Sequence, residues 1–437
     1  MKVLLVGSEA RAHCIAETLK ASSKPIELVC FGSSKNPGIL SLTSAYEVGD
    51  LSDVSRISEF AKTQHADFAV ISPELPLSAG VVDELMRVGV PSIGPTKDMA
   101  QLETSKSFTR ELLDEYKINS SPQYRYFLDF DGVEDFIDSL QTEFVIKLDG
   151  LEGGKGVLVQ GDHFDTREEG LKKIKEFLDQ DKKVVIEEKL VGQEFSLMSL
   201  CDGEHLLHFP AVQDHKRAFA DDRGPNTGGM GSYSYPDGGL PFLLPSDIAL
   251  AQGINQQTAG ALKKKFGKGY KGVLYGGFMA VKEGIRLIEY NARFGDPEVM
   301  NILPVLKNDF VQVCRSVLEG TLDAIKPEFE KVATVCKYVV PKGYPVNPMK
   351  GEQIDISEVD QSNVRVFYAS VEERGSELVM GASRAIAIVG IDEDITRAEK
   401  KVEEEIRKIK GPFYHRDDIG TKALIDKRVK MLAEVRS

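Results

Sequence analysis

The chain has 437 residues, enough for about three domains of roughly 100–200 residues each. Its 42% apolar and 28% charged residues exclude a mostly disordered or fibrous chain. The 55 Lys and Arg against 68 Asp and Glu give a formal charge of −13, which excludes a globally basic nucleic-acid binder. It leaves room for an enzyme that gathers a few cations around an anionic ligand.

The elements run in chain order as follows. Apolar strands are expected at 2–7, 26–31, 68–72 and 89–93, with a helix over 11–21. Alternating strands and helices imply a parallel sheet, so residues 1–104 read as a Rossmann-like domain. A linker helix over 105–122 leads to a small α+β module at 123–190. That module has strands at 143–148, 156–160 and 183–188 and a helix at 168–178. Strands at 194–202, 272–281 and 286–293 form a larger sheet within 191–326. A smaller C-terminal α/β domain fills 327–437, with a hairpin of 364–371 and 377–381 turning at Arg374-Gly375-Ser376. A helix follows, with Thr396 and Glu399 in a capping-box pattern. The fold class is a multidomain mixture of α/β and α+β.

The five cysteines, Cys14, Cys30, Cys201, Cys314 and Cys336, are odd in number and show no C-x-x-C spacing. They point to a reducing cytosol rather than a disulfide framework. The N-terminus lacks the pattern of a signal peptide, and no run approaches ~18 apolar residues, so a cytoplasmic protein without a membrane span is expected.

Gly7 follows a strand, but the text G-S-E-A-R-A fails the dinucleotide fingerprint G-x-G-x-x-G. The helix N-terminus there could still receive a phosphate with help from Arg11 and His13, or be a plain turn. Asp149-Gly150-Leu151-Glu152-Gly153-Gly154-Lys155-Gly156 is glycine-rich but not a Walker A loop, because Lys155 precedes Gly rather than Ser or Thr. Its backbone could fold over a polyphosphate, with Lys155 reaching the charge; a hairpin with a surface lysine is the alternative. Lys147 sits inside an apolar strand. Lys106 continues an apolar helical stripe of Met99, Leu102 and Leu113. Two lysines so placed favour a shared anionic ligand.

The sharpest constellation is Ile288-Glu289-Tyr290-Asn291-Ala292-Arg293-Phe294-Gly295-Asp296-Pro297-Glu298. Strand alternation puts Glu289, Asn291 and Arg293 on one face. A carboxylate and a carboxamide oxygen suit Mg²⁺, and the arginine fork suits a carboxylate or phosphate. Gln213-Asp214-His215-Lys216-Arg217 and Gly224-Pro225-Asn226-Thr227-Gly228-Gly229-Met230-Gly231 also fit an anion site, though each alone is more often a surface loop.

Together these strings resemble the ATP-grasp ligases and, within them, the phosphoribosylamine–glycine ligase family. Further matches are Ser72-Pro73-Glu74-Leu75-Pro76-Leu77, Gln101-Leu102-Glu103-Thr104-Ser105-Lys106 and Tyr414-His415-Arg416-Asp417-Asp418-Ile419-Gly420. The resemblance runs along nearly the whole chain. It implies ATP held between two lobes, at 123–190 and 191–326, and a ligation of glycine to phosphoribosylamine through glycyl phosphate. Lys106, Lys147 and Lys216 would contact ATP, and Gly153, Gly154 and Lys155 would close over it. Glu187 would meet the adenine, with backbone groups of Lys189 and Leu190 nearby, and Glu194 the ribose. Glu289 and Asn291 would bind Mg²⁺ or Mn²⁺. Asp214, Arg293 and the loop of Asn226, Thr227, Gly228, Gly229 and Met230 would lie near glycine and the acceptor. Gly7, Arg11, His13, Pro73 and Glu74 would help hold the phosphosugar. Arg293, Lys155 and Asp214 are the catalytic candidates. The resemblance implies small-molecule substrates, with neither nucleic acid nor membrane as partner, and a monomer or homodimer.

The sequence departs from the family at two loops and, more mildly, at Leu151-Glu152 of the glycine-rich loop, where small apolar residues are usual. The first reads Gly7-Ser8-Glu9-Ala10-Arg11-Ala12-His13 where G-S-G-G-R-E-H is usual, and the second reads Lys35-Asn36-Pro37-Gly38-Ile39 in place of P-G-N-A-G-T. A carboxylate at Glu9 would repel a phosphate. A ligase for another amine, or a catalytically silent nucleotide-binding scaffold, are the alternatives these departures leave open.

Overall fold

A computed structural model describes residues 1–151 and 156–437. Its first unit is a five-stranded, all-parallel sheet. Lys2–Val6 lies at the centre, between Glu27–Gly32 and Phe68–Ile71, with Ala45–Val48 and Ser92–Ile93 on the edges. The central strands are buried apolar runs, as expected for parallel strands covered by helices on both faces. The edge strand Ala45–Val48 escapes sequence reading because Tyr46 and Glu47 break its apolar run.

The single helical stripe expected through Lys106 is not formed. Two helices, Lys97–Thr104 and Lys106–Glu115, meet at Ser105, which leaves helical dihedrals (φ −138°, ψ 112°). The Ser105 hydroxyl accepts a hydrogen bond from Phe108 N at 3.1 Å and caps the second helix. Lys106 therefore opens a helix rather than extending a core stripe.

The small module is a four-stranded antiparallel sheet in the order Tyr124–Phe127, Val184–Glu188, Phe144–Leu148, Val157–Val159. Phe144, Ile146 and Ile186 pack with Ile174 of the helix Arg167–Leu178 to form its own core. The larger antiparallel sheet runs Leu206–His208, Gln193–Asp202, Lys271–Ala280, Ile285–Asn291.

Only some of the C-terminal strands make a separate sheet, that of Gln353–Ile354, Glu377–Met380 and Val371–Arg374. Gly231–Ser234 pairs with Ala333–Pro341, which pairs with Ile386–Asp392 and so reaches Val364–Tyr368. The sheet thus crosses residue 327 and ties the C-terminal elements to the segment that follows Asp214. Two local expectations need correction. The segment 364–371 splits, and only Val371–Arg374 forms the hairpin with Glu377–Met380. The helix Ile395–Ile406 is capped by Asp394, whose side chain accepts from Thr396 N and Arg397 N, not by a box starting at Thr396.

Candidate active site

The strand Ile285–Asn291 carries a β-bulge: Leu287 pairs with Phe278 and Glu289 with Gly277, which leaves Ile288 unpaired. Strict alternation would place Glu289 on the core face with Ile285 and Leu287. The extra residue reverses the phase. Beyond it Tyr290 and Ala292 are buried, while Glu289, Asn291 and Arg293 are half-buried and share the open face.

The bulge frees carbonyl groups, and two cations fill them. Arg110, on the helix Lys106–Glu115, donates from Nη1 to Leu287 O at 3.0 Å and from Nη2 to Ile288 O at 2.8 Å. Lys147 Nζ donates to Ile288 O at 3.2 Å. Both cations hold Glu187, Arg110 at 2.8 Å and Lys147 at 2.6 Å. All three side chains are at most 7% exposed. Burial pushes the Glu187 carboxyl up, but Arg110 and Lys147 outweigh it and hold it below the usual carboxylate range. Burial, aided by Arg110, pushes the Lys147 ammonium down against the pull of Glu187. Two cations against one carboxylate leave a surplus positive charge in a dry site, which suits an anionic ligand.

Four cations bear on Glu289. Burial would raise its pKa, but Lys216, Lys147, Lys106 and Arg293 outweigh that and keep it ionised. Lys216 Nζ lies 3.9 Å from Glu289 and closer still to Glu194. Burial opposes the Lys216 charge, yet Glu194, Glu289 and Asp214 hold its pKa above the ordinary lysine range. Lys106 Nζ donates to Gly150 O at 2.9 Å, and its backbone N–H to Asp149 Oδ1 at 2.5 Å. Asp149 thus fastens the start of the glycine-rich loop to the helix N-terminus. Gly153, Gly154 and Lys155 lie outside the described residues.

Arg293 joins this cleft to the first domain. It meets Glu74 at 3.3 Å, Glu103 at 3.0 Å and Asn291 Oδ1 at 3.0 Å. Arg11 continues the chain, with Nη1 donating to Phe294 O at 2.7 Å and Nη2 3.7 Å from Glu74. Glu9 is answered locally: its carboxylate accepts from Arg11 Nε at 3.1 Å, from Ser8 N at 2.9 Å and from the Ser72 hydroxyl. The repulsion expected from Glu9 is therefore largely offset within the chain. Gly7 (φ +141°) has no room for a side chain, because a Cβ would sit 2.9 Å from Ser72 Cβ. Pro73 precedes the helix Glu74–Ala79.

A third group surrounds Asp214. Burial and the neighbouring Glu298 push its carboxyl well up. Glu298 is itself raised, chiefly by burial, and accepts from the Tyr275 hydroxyl. The 226–231 loop folds back on the residues that follow Asp214: Thr227 N donates to Lys216 O at 2.7 Å and Met230 N to His215 O at 2.8 Å. A Cβ on Gly229 would lie 2.7 Å from Asp214 Oδ1. Asn226 ends the strand Arg223–Asn226, paired with Arg217.

His13 is engaged elsewhere. The His13 ring is buried against Tyr368, whose N–H it accepts at 3.0 Å through Nδ1, and burial pushes its pKa down to about 4. This is a packing site between the first domain and the C-terminal elements. The Lys189 ammonium holds Glu143 at 2.6 Å, and Leu190 lies in the connection between Val184–Glu188 and Gln193–Asp202.

Comparison with known proteins bears on this geometry. Residues 1–103, 104–299 and 334–422 match the N domain, the ATP-grasp (A) domain and the C domain of phosphoribosylglycinamide synthetase. Phosphoribosylamine–glycine ligases of Methanococcus maripaludis and Methanocaldococcus jannaschii are each 46% identical, over the whole of both chains. The chain belongs to the phosphoribosylglycinamide synthetase family. A solved phosphoribosylamine–glycine ligase from Thermotoga maritima superposes with a TM-score of 0.80 at 27% identity, covering 96% of this chain and 100% of that one. A biotin carboxylase from Campylobacter jejuni shares the fold, at 15% identity and a TM-score of 0.77, over 99% of this chain and 98% of its own. Arg110, Glu103, Asp149 and Glu298 complete the cleft of this synthetase-family chain. Glu103, Asp149 and Glu298 stand inside motifs read from the sequence, while Arg110 carries no local signal.

Proposed function

We infer that the chain ligates glycine to 5-phospho-β-D-ribosylamine with cleavage of ATP, giving glycinamide ribonucleotide, ADP and phosphate, a step of purine biosynthesis. A glycine carboxylate oxygen attacks the γ-phosphorus, and the bond to ADP breaks to leave glycyl phosphate. The acceptor nitrogen then attacks the acyl carbon, the C–O bond to phosphate breaks, and the nitrogen loses a proton. No covalent enzyme intermediate is needed, so positioning and charge neutralisation carry the catalysis.

The observation that carries this reading is that Lys216, Lys147, Lys106 and Arg293 all bear on the one half-buried carboxylate of Glu289. Lys106, Lys147 and Lys216 are proposed to meet the ATP phosphates, and Arg293 the carboxylate of glycine. Asp214, beside the 226–231 loop, is proposed to lie near glycine and the acceptor amine. Glu289 and Asn291 are the residues that would hold a divalent metal, Mg²⁺ or Mn²⁺. Among the described residues no cluster of three or more His, Cys, Asp or Glu forms a metal cage. Two protein oxygens suit an ion that takes its other ligands from water and phosphate. When bound, the metal would neutralise phosphate charge. The five cysteines are buried free thiols, and no helix of the described residues is long and apolar enough to cross a membrane. These facts support a cytoplasmic location for an enzyme proposed to act as a monomer or homodimer.

The test supplies purified protein with ATP, Mg²⁺, glycine and freshly made phosphoribosylamine and follows phosphate release. Turnover that needs both glycine and phosphoribosylamine is expected. Release that ignores phosphoribosylamine would overturn the acceptor assignment. ATP binding without any release would favour a silent scaffold.

A further inference from the structure

Arg384 lies in the connection between Glu377–Met380 and Ile386–Asp392, far in sequence from the cleft. Its Nη1 is within hydrogen-bond distance of Gly228 O at 2.6 Å, Gly229 O at 3.1 Å and Asp296 O at 2.9 Å, and of the Asp296 carboxylate at 3.2 Å. The guanidinium stacks over Tyr338, 4.5 Å from the ring centre. The Tyr338 hydroxyl donates to Asp296 Oδ1 at 2.5 Å, and its backbone N–H to Met230 O at 2.9 Å. The side chain is only 16% exposed.

These contacts, together with those of Tyr338, join two turns that are distant in sequence. One is the Gly228-Gly229 turn of the 226–231 loop. The other is Asp296-Pro297, which leads from Arg293 to Glu298. Their approach is close: a Cβ on Gly229 (φ +109°) would lie 2.6 Å from Pro297 Cδ. Backbone carbonyls carry no side-chain identity, so a guanidinium that spans three of them fixes geometry rather than chemistry. A lysine can donate from one nitrogen but has no planar face to stack on Tyr338.

We propose that Arg384 is a positioning residue. From the C-terminal elements it locks the 226–231 loop against the turn that follows Arg293, and so sets the spacing of Asp214 and Arg293 around glycine and the acceptor amine. This rests on the ligase reading of the same cleft. Lys106, Lys147 and Glu289 are held by other elements, so the ATP half does not depend on Arg384.

The experiment measures steady-state kinetics of wild type, Arg384→Ala and Arg384→Lys with each substrate varied, per mole of folded protein. Wild-type turnover must first require glycine and phosphoribosylamine; if it does not, the function fails and not this inference. Arg384→Ala is expected to lower kcat/KM for glycine about 100-fold, the scale of a misplaced reacting group. The KM for ATP should stay within about threefold. Added methylguanidinium should restore part of the glycine-dependent rate to Arg384→Ala, which a role in stability alone would not allow. Arg384→Lys should share the glycine defect in milder form. If Arg384→Ala does not fold, Arg384→Lys decides, through the same split between glycine and ATP. Unchanged glycine kinetics in a folded variant, or equal losses for glycine and ATP, would overturn the proposal.

Discussion

Arg110→Met isolates the buried cation that sequence reading does not single out. Methionine keeps much of the volume and removes every donor. The change deletes the 2.8 Å pair with Glu187 and the bonds to Leu287 O and Ile288 O at 3.0 and 2.8 Å. Breaking a buried ion pair costs about 3–5 kcal/mol, and an orphaned buried carbonyl about 1–3 kcal/mol. Lys147 still holds Glu187 and still reaches Ile288 O, so the low end applies, roughly 4 kcal/mol in all. A second effect falls on the ligand, because the trio drops from a surplus positive charge to neutrality. At an effective dielectric of about 20, a unit charge about 8 Å from a phosphate is worth about 2 kcal/mol, or roughly a 30-fold rise in the Kd for ATP. Hydrogen exchange of peptides covering Val184–Glu188 and Ile285–Asn291 reads the first effect, and calorimetric titration with ATP reads the second. Arg110→Lys separates them, since it keeps the charge and loses the fork. Normal exchange together with a Kd within about threefold of wild type in Arg110→Met would refute the argument.

Other consequences can be checked directly. Glu289→Ala removes the proposed metal carboxylate and should abolish metal-dependent turnover; a metal titration with an unchanged rate would refute the assignment. His13 is held neutral, its pKa pushed down to about 4 by burial. Between pH 6.5 and 4 the unfolded chain binds a proton that the folded chain refuses, so stability falls as pH drops through this window, by at most about 1.4 kcal/mol per pH unit from this residue. His13→Gln should flatten that slope in denaturation curves taken from pH 4.5 to 7, and an unchanged slope would count against it. Glu9→Gly releases Arg11 Nε, Ser8 N–H and the Ser72 hydroxyl. It should lower the KM for phosphoribosylamine roughly tenfold, about 1.4 kcal/mol, and an unchanged or higher KM would show that these donors do not serve the acceptor.

Most strands of the first domain and of both lobes are readable because they are apolar runs bounded by turn residues, while Ala45–Val48, Tyr124–Phe127 and Leu206–His208 are not. The 22-residue helix Pro245–Phe266 is not readable, because its buried side includes Asn255 and Thr258 and several alanines, which blur the period. Asn255 is buried because its Nδ2 donates to Leu197 O at 3.2 Å and to the Ser199 hydroxyl at 3.1 Å. At the site, Glu289, Asn291 and Arg293 do share one face, but the reason includes a bulge that alternation alone cannot reveal. Arg110 and Arg384 are invisible to motif reading for a common reason. Each is a lone arginine whose main partners are backbone carbonyls more than 80 residues away, and carbonyls leave no mark in a sequence.

The charge of the cleft also differs from a simple positive field. Lys216 is paired with Glu194, Arg293 with Glu74 and Glu103, and Arg11 with Glu9. Burying these cations bare would carry a desolvation cost of several kcal/mol each. Their pairing removes most of that cost before any ligand arrives. An incoming phosphate or carboxylate then exchanges one anionic partner for another instead of neutralising an open charge. Such exchange favours ligands by shape and donor geometry, because any anion would satisfy a bare field while only a well-placed one can displace a carboxylate already bound. The surplus at Arg110, Lys147 and Glu187 is the exception. It supplies a standing attraction at one point, beside the bulge that turns Glu289 outward, and Lys147 is the member of the trio proposed to meet a phosphate of ATP.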